Sequence, residues 1–333
     1  MRNRPYTTCD LRLAAGVVSA LTVAALVSGC TGRVSRSLGL LREVSVVTDY
    51  RDEVEPVLRQ MLQHEIRTPQ PEPEFRLRFG GVDRFSSLSR MRLVLVVGVA
   101  ADSLIRRILG SRADVLPEGD YGLFRFPNAW AANQWVVVFV ARERKMLVEG
   151  LERYAARIRA TLSNIVFDQM TQATYLLGVD HELTDSIGHF GFTIDIPRKW
   201  QLRLEHAEQR FVYAFTHFPD RGVFVYWEDS TRTLAVDSLL ALRDRLTGRF
   251  YDGDSLERES VTMDTVEFVG GPVLRLRGVW QNRREVIGGP SVAYAFNLQG
   301  RFFLLDGIVY APGEKKLDRL FQVEAVLRTF APK

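Results

Sequence analysis

The sequence predicts an α+β protein made of two units, each a mainly antiparallel sheet covered by helices. Three observations carry that expectation. Short segments in which apolar residues alternate with polar ones, or run on unbroken, recur across residues 43–140 and again across 192–310. These are the signatures of half-exposed and fully buried strands. Each series ends in a stretch with apolar residues at helical spacing, 144–170 in the first and 317–330 in the second. The texture changes near Gly188, which places the boundary between units 42–185 and 186–333. No residue-level repeat relates the two.

In the first unit, residues 43–48 (EVSVVT) are β-rich and read as a strand. Pro56 suits a first helical turn, and Val54, Val57, Leu58, Met61, Leu62 and Ile66 follow at helical spacing. Thr68-Pro69-Gln70-Pro71-Glu72-Pro73 stops that helix, because proline lacks the N–H and clashes with the preceding turn. Phe75, Leu77 and Phe79 alternate with charged residues as in a half-exposed strand. Residues 93–99 are continuously apolar and predict a central strand buried on both faces. A short helix is expected at 103–109, and a pair of strands at 121–126 and 135–140. The long helix over 144–170 carries Leu147, Leu151, Tyr154, Ile158, Leu162, Ile165 and Val166 as its apolar stripe, and 175–183 adds a further helical stretch.

In the second unit, Phe192, Ile194 and Ile196 alternate with polar residues until Pro197. Strands at 211–218 and 223–227 are joined by the turn sequence Pro219-Asp220-Arg221-Gly222. Residues 234–250 form an amphipathic helix bearing Leu239, Leu242, Leu246 and Phe250. Four consecutive strands follow at 261–269, 272–280, 291–298 and 301–310, with Gln299-Gly300 as the tight turn between the last two. A closing helix spans 317–330.

Ahead of both units, residues 1–29 have the parts of a secretory signal: Arg2, Arg4 and Arg12, then an apolar run, then small residues. The run is roughly 14–17 residues, short of the ~20 that a spanning helix needs. Leu26-Val27-Ser28-Gly29-Cys30 reads as a lipobox, which makes Cys30 the acylated first residue of the mature chain. The membrane, reached through that lipid, is then its first partner. In the enteric lipoprotein pattern that this segment resembles, an Asp after the Cys retains the protein in the inner membrane. Thr31 stands there instead, which favours the outer membrane. Residues 30–41 read as a flexible tether.

Removal of the signal leaves about 304 residues, ample for one or two cores. The 46% hydrophobic and 25% charged fractions are those of a globular protein. Arg2, Arg4 and Arg12 against Asp10 account for two of the four net positive charges. The remainder alternates in sign along the chain, which argues against a nucleic-acid partner. Cys9 leaves with the signal and Cys30 is lipidated, so no thiol remains for a disulfide, a metal site or a nucleophile. No signal of oligomeric state is legible.

Arg277-Gly278-Val279-Trp280, Gly288-Gly289-Pro290-Ser291-Val292-Ala293-Tyr294 and Asp306-Gly307-Ile308-Val309-Tyr310-Ala311-Pro312 occur in that order. Together with residues 190–197 and the early residues 43–47, they resemble the blocks of the domain-of-unknown-function family 4837, a set of bacterial envelope lipoproteins. The resemblance spans roughly residues 43–330. It implies an envelope address and no particular activity. Residues 192–200, a Phe-x-Ile-x-Ile-Pro strand followed by Trp200, are similar to the opening of PsbP/Mog1-like α-β-α domains. That likeness implies a protein partner by fold analogy alone.

His181, Asp185 and His189, with Glu182 as a base, would suit zinc if one helix continued through all of them. Gly188 and the strand from Phe190 end the helix first, so neither a metal nor a cofactor is expected. Gly270-Gly271-Pro272 and Gly288-Gly289-Pro290 read as turns, and no Gly-x-Ser-x-Gly elbow occurs. Asp306 shares strand parity with Phe302, Leu304, Ile308 and Tyr310, so it should point into an apolar face. A buried carboxylate needs a partner. Asp306 is read either as a structural ion pair with Arg275, Arg277 or Arg301, or as the polar anchor of a ligand pocket walled by Trp280, Tyr294 and Tyr310. Parity places each of these aromatics on the more apolar face of its strand, and the closing helix is the expected cover. The functional expectation is a non-catalytic binding or scaffold lipoprotein with an envelope protein partner on the periplasmic side. The alternative is a lipid-anchored hydrolase whose site is assembled from scattered Asp, His and Ser residues.

Overall fold

The computed structural model describes residues 35–251 and 253–333; Cys30, the signal segment and the first part of the expected tether lie outside the described residues. The first half contains β1 (Glu43–Val47), α1 (Arg51–Leu62), β2 (Arg76–Gly80), β3 (Leu93–Val99), α2 (Ser103–Leu109), β4 (Tyr121–Pro127), β5 (Trp135–Ala141) and α3 (Leu147–Thr174). The strands form one sheet in the order β2-β1-β3-β5-β4. All seven residues of β3 are buried, as its apolar run predicts. Helices α1 and α3 pack on one face, with Val54, Leu58, Leu151 and Ile158 over Val44, Leu95 and Phe139. Helix α2 covers the other face, with Leu104, Ile105 and Leu109 against Val94, Val96 and Val138.

Burial on both faces goes with the one departure from an antiparallel sheet. Strands β2, β1, β3 and β5 run parallel, and only β4 is antiparallel to its neighbour, so this sheet is mixed. Parallel neighbours need a long crossover, and helices supply it and cover the faces. The α+β class stands, and the antiparallel pattern is complete in the second sheet.

The tether is shorter than expected. Residues 35–38 lie along the loops that precede β3 and β5: Ser37 N donates to Ala132 O (3.0 Å), Leu38 N to Arg90 O (2.9 Å) and Arg92 N to Leu38 O (2.7 Å). Open backbone groups at the starts of those strands recruit the segment.

The second half contains α4 (His181–Ile187), β6 (Gln201–Arg203), β7 (Phe211–Thr216), β8 (Asp220–Glu228), α5 (Val236–Phe250), β9 (Ser255–Leu256), β10 (Thr262–Phe268), β11 (Gly271–Asn282), β12 (Ile287–Leu298), β13 (Arg301–Tyr310) and α6 (Leu317–Leu327). Its antiparallel sheet has the order β9-β11-β12-β13-β8-β7-β6, with β10 also paired to β11. Leu239, Leu242 and Leu246 of α5 pack against Phe211, Phe224, Phe302 and Leu304 on one face. Leu320, Val323 and Leu327 of α6 pack against Val292, Phe296, Phe303 and Leu305 on the other. Gln299 (φ 52) and Gly300 (φ 81) form the two-residue turn between β12 and β13. Phe192–Thr193 stays off the main sheet and pairs with Ala331–Pro332.

A buried clasp joins the halves. Glu72 Oε1 accepts from Lys316 N (2.6 Å) and Leu317 N (3.1 Å), so the first half caps the N-terminus of α6. Arg42, 3% exposed, bonds Glu72, the carbonyls of Pro73 and Glu74, and Asp318.

Candidate binding cleft

Helix α5 covers only part of its face of the second sheet. Beyond it lies a cleft of about 440 Å³ walled by Tyr213, Phe215, Phe250, Tyr251, Trp280 and Tyr310. That volume lies in the range of small-ligand sites. Each aromatic is placed by its strand or by the end of α5. Tyr213 stacks on Phe215 two residues along β7 (5.2 Å between ring centroids) and meets Tyr251 at 4.7 Å. Trp280 and Tyr310 meet at 6.3 Å. Burial raises the pKa of the Tyr213 and Tyr251 phenols, so both stay neutral at physiological pH.

Trp280 is 2% exposed because it lies across Gly289 and donates its indole N–H to Val309 O (3.1 Å). A Cβ at Gly289 would collide with that carbonyl oxygen. Gly288-Gly289-Pro290 is therefore a stretch of β12 and not the turn expected, whereas Gly270 (φ 85) is a turn residue. The polar groups of the cleft sit at its mouth and back. His217 Nδ1 pairs with Asp220 Oδ1 (2.9 Å), and Asn282 Nδ2 donates to Asp254 Oδ1 (2.9 Å). Among the described residues, the lining includes Thr216 but no serine or cysteine.

The four predicted site residues do not share one layer. Trp280 and Tyr310 line the cleft, and Asp306 lies on the same face, deeper and 1% exposed. Tyr294 points to the opposite face, where its hydroxyl donates to Glu324 Oε1 of α6 (2.6 Å). The register explains this. Leu276 pairs with Ala293, and Ala293 with Asp306, so even-numbered residues of β11 and β13 share a face with odd-numbered residues of β12.

The partner of Asp306 is also a correction. Arg243 of α5 holds it with Nε at 3.0 Å and Nη2 at 3.3 Å. Arg275 and Arg277 pair with Glu324 on the other face, and Arg301 reaches Asp229. The cover over Asp306 is accordingly α5 and not the closing helix. Arg243 lies four residues after Leu239 and three before Leu246, on the apolar stripe. That spacing is the signal by which the sequence could have disclosed it. Helix α4 ends at Ile187 and Gly188–Phe190 is a separate turn, so His189 leaves the face of His181 and Asp185. Among the described residues no group of three or more His, Cys, Asp or Glu could hold a metal ion.

No curated protein matches the chain. Several solved structures are similar to part of it, among them these two. One is a protein of Bacteroides thetaiotaomicron VPI-5482, 10% identical over 43% of this chain and 45% of that one, with a TM-score of 0.27. The other is LpqN, involved in cell envelope biogenesis of Mycobacterium tuberculosis, 13% identical over 42% of this chain and 83% of that one, with a TM-score of 0.26. The chain thus spans less than half the length of the Bacteroides protein, and likeness at these scores carries no argument. Residues 37–174 match the family described as Domain of unknown function (DUF8532). Residues 182–329 match Domain of unknown function (DUF4837), and it is this second half, with the cleft, that carries the resemblance read from the sequence blocks.

Proposed function

We propose that the chain is an envelope lipoprotein, anchored by acylation of Cys30 on the periplasmic side of the membrane, whose second half binds a partner through the aromatic cleft without catalysing a reaction. The cleft is the observation that carries this reading: aromatic walls, polar groups at its mouth and back, and a volume of about 440 Å³. Phe218 (97% exposed) and Val286 (88%) stand on the two hairpin tips beside the mouth and favour a protein partner. The lipobox supports the anchor, and Thr31 supports the outer membrane. No described helix is long and apolar enough to cross a membrane.

The test is affinity capture of the detergent-solubilised lipoprotein, read by mass spectrometry, against a Phe218→Ser, Val286→Ser double variant. Recovery of the partner should fall roughly tenfold or more, the size expected for loss of anchoring contacts. Undiminished capture would sink the reading. Cys30→Ser should accumulate as an unprocessed precursor without labelled palmitate. One observation favours a lipid-anchored hydrolase: His217 Nδ1 lies 2.9 Å from Asp220 Oδ1, a contact by which a carboxylate can orient a general-base histidine. Hydrolysis of a lipid or peptide ester by the pure protein, abolished in His217→Ala, would decide for it.

A further inference from the structure

We infer that the N-terminal end of the first sheet, where residues 35–40 lie against the starts of β3 and β5, is the surface that rests on the membrane. The inference depends on the proposed anchor at Cys30. Five residue steps separate Cys30 from Ser35, a reach of at most ~18 Å, and Ser35 O accepts from Ala132 N (3.0 Å). The anchor therefore holds this end of the sheet close to the lipid.

Its chemistry suits an interface with anionic headgroups. Leu38 and Leu40 are each 53% exposed, immediately after the anchor. The three segments that meet here, 35–42, 89–92 and 128–134, contain no acidic residue, and Arg36 and Arg90 are exposed. The loops that hold Leu38 also wall a groove of about 510 Å³ lined by Phe85, Trp130 and Arg107. Trp130 meets Phe85 edge-on at 4.9 Å, and Arg107 lies over the Phe85 ring at 4.7 Å. Exposed leucines beside arginine and a half-buried tryptophan are the composition of surfaces that settle at the headgroup level. Anionic lipid attracts the arginines, which no nearby carboxylate in these segments neutralises.

The test uses the acylated chain in vesicles of phosphatidylethanolamine and phosphatidylglycerol containing brominated lipid. Cys9 is removed with the signal and the Cys30 sulfur is acylated, so Leu38→Cys supplies a single free thiol for a fluorophore. Ala101→Cys, exposed just past the far end of β3, is the reference. Quenching at position 38 should exceed that at 101 several-fold, and Leu40→Cys should behave as 38 does if the first label disturbs folding. Equal quenching, or more at 101, in protein whose intact mass shows the acyl chains overturns the surface and leaves the anchor standing. An intact mass without acyl chains overturns both.

Discussion

Asp306 and Glu324 lie on opposite faces of the second sheet, each 1% exposed, yet their pKa values move in opposite directions. Asp306 has a single guanidinium, Arg243, that is itself 1% exposed. Burial raises the Asp306 pKa, and the attraction and hydrogen bonds of Arg243 offset only part of that rise. Glu324 accepts from Arg277 (2.7 Å), Arg275 (3.0 Å) and the Tyr294 hydroxyl (2.6 Å). Burial pushes its carboxyl up too, but Arg277 and Arg275 with these hydrogen bonds outweigh it and hold the pKa at about 2. The side chains of Arg275 and Arg277 are 16% and 20% exposed and keep part of their hydration, whereas Arg243 gives up nearly all of its own. A buried ion pair is favourable only when enough donors converge and the partners are not fully desolvated. By that measure the Glu324 network stabilises the seat of α6, and the Asp306 pair mainly specifies where α5 sits.

The strongest way to break this contrast is at Asp306. Asp306→Ala strands a fully buried Arg243 and should lower stability by about 3–5 kcal/mol, read from the chemical denaturation midpoint. The double variant Asp306→Leu, Arg243→Leu should recover most of that loss, since a packed apolar pair can replace a buried ion pair at little cost. If the double variant is as unstable as Asp306→Ala, the pair is itself a source of stability and the contrast fails. Glu324→Gln should be milder, about 1–3 kcal/mol, because the amide still accepts from Tyr294 and Arg275 keeps Asp264. The smallest effect sharpens the comparison through pH. Glu324 has its folded pKa below the unfolded value of 4.5, so its contribution is complete above about 4.5 and is lost as pH falls toward about 2. Glu324→Gln should flatten the acid limb of stability in that window. Asp306 has the opposite sign: its pKa is raised above 3.8, so its contribution is present below that value and declines as pH rises through the folded pKa. An acid limb in Glu324→Gln identical to that of the wild type would show that some other carboxylate carries it.

The elements were legible because each depends on neighbours in the chain. The apolar run at 93–99 announced a strand buried on both faces, and Gln299-Gly300 announced a two-residue turn by its positive φ angles. The cleft was legible only in part. Trp280 and Tyr310 are in it, but Tyr294 is not, because β12 is buried on both faces from Gly289 to Phe296. Where both faces are apolar, asking which is the more apolar has no answer.

The sequence by itself determined the expected lipid address, the strands and helices and the parity along each strand, since all of these are set by residues within a few positions of one another. Only the tertiary structure decided the register between β11, β12 and β13, the parallel order of the first sheet, and the choice of Arg243 for Asp306 across 63 residues. Those outcomes depend on which side chains remain satisfied when distant segments are brought together and lose water, and local periodicity contains no record of that.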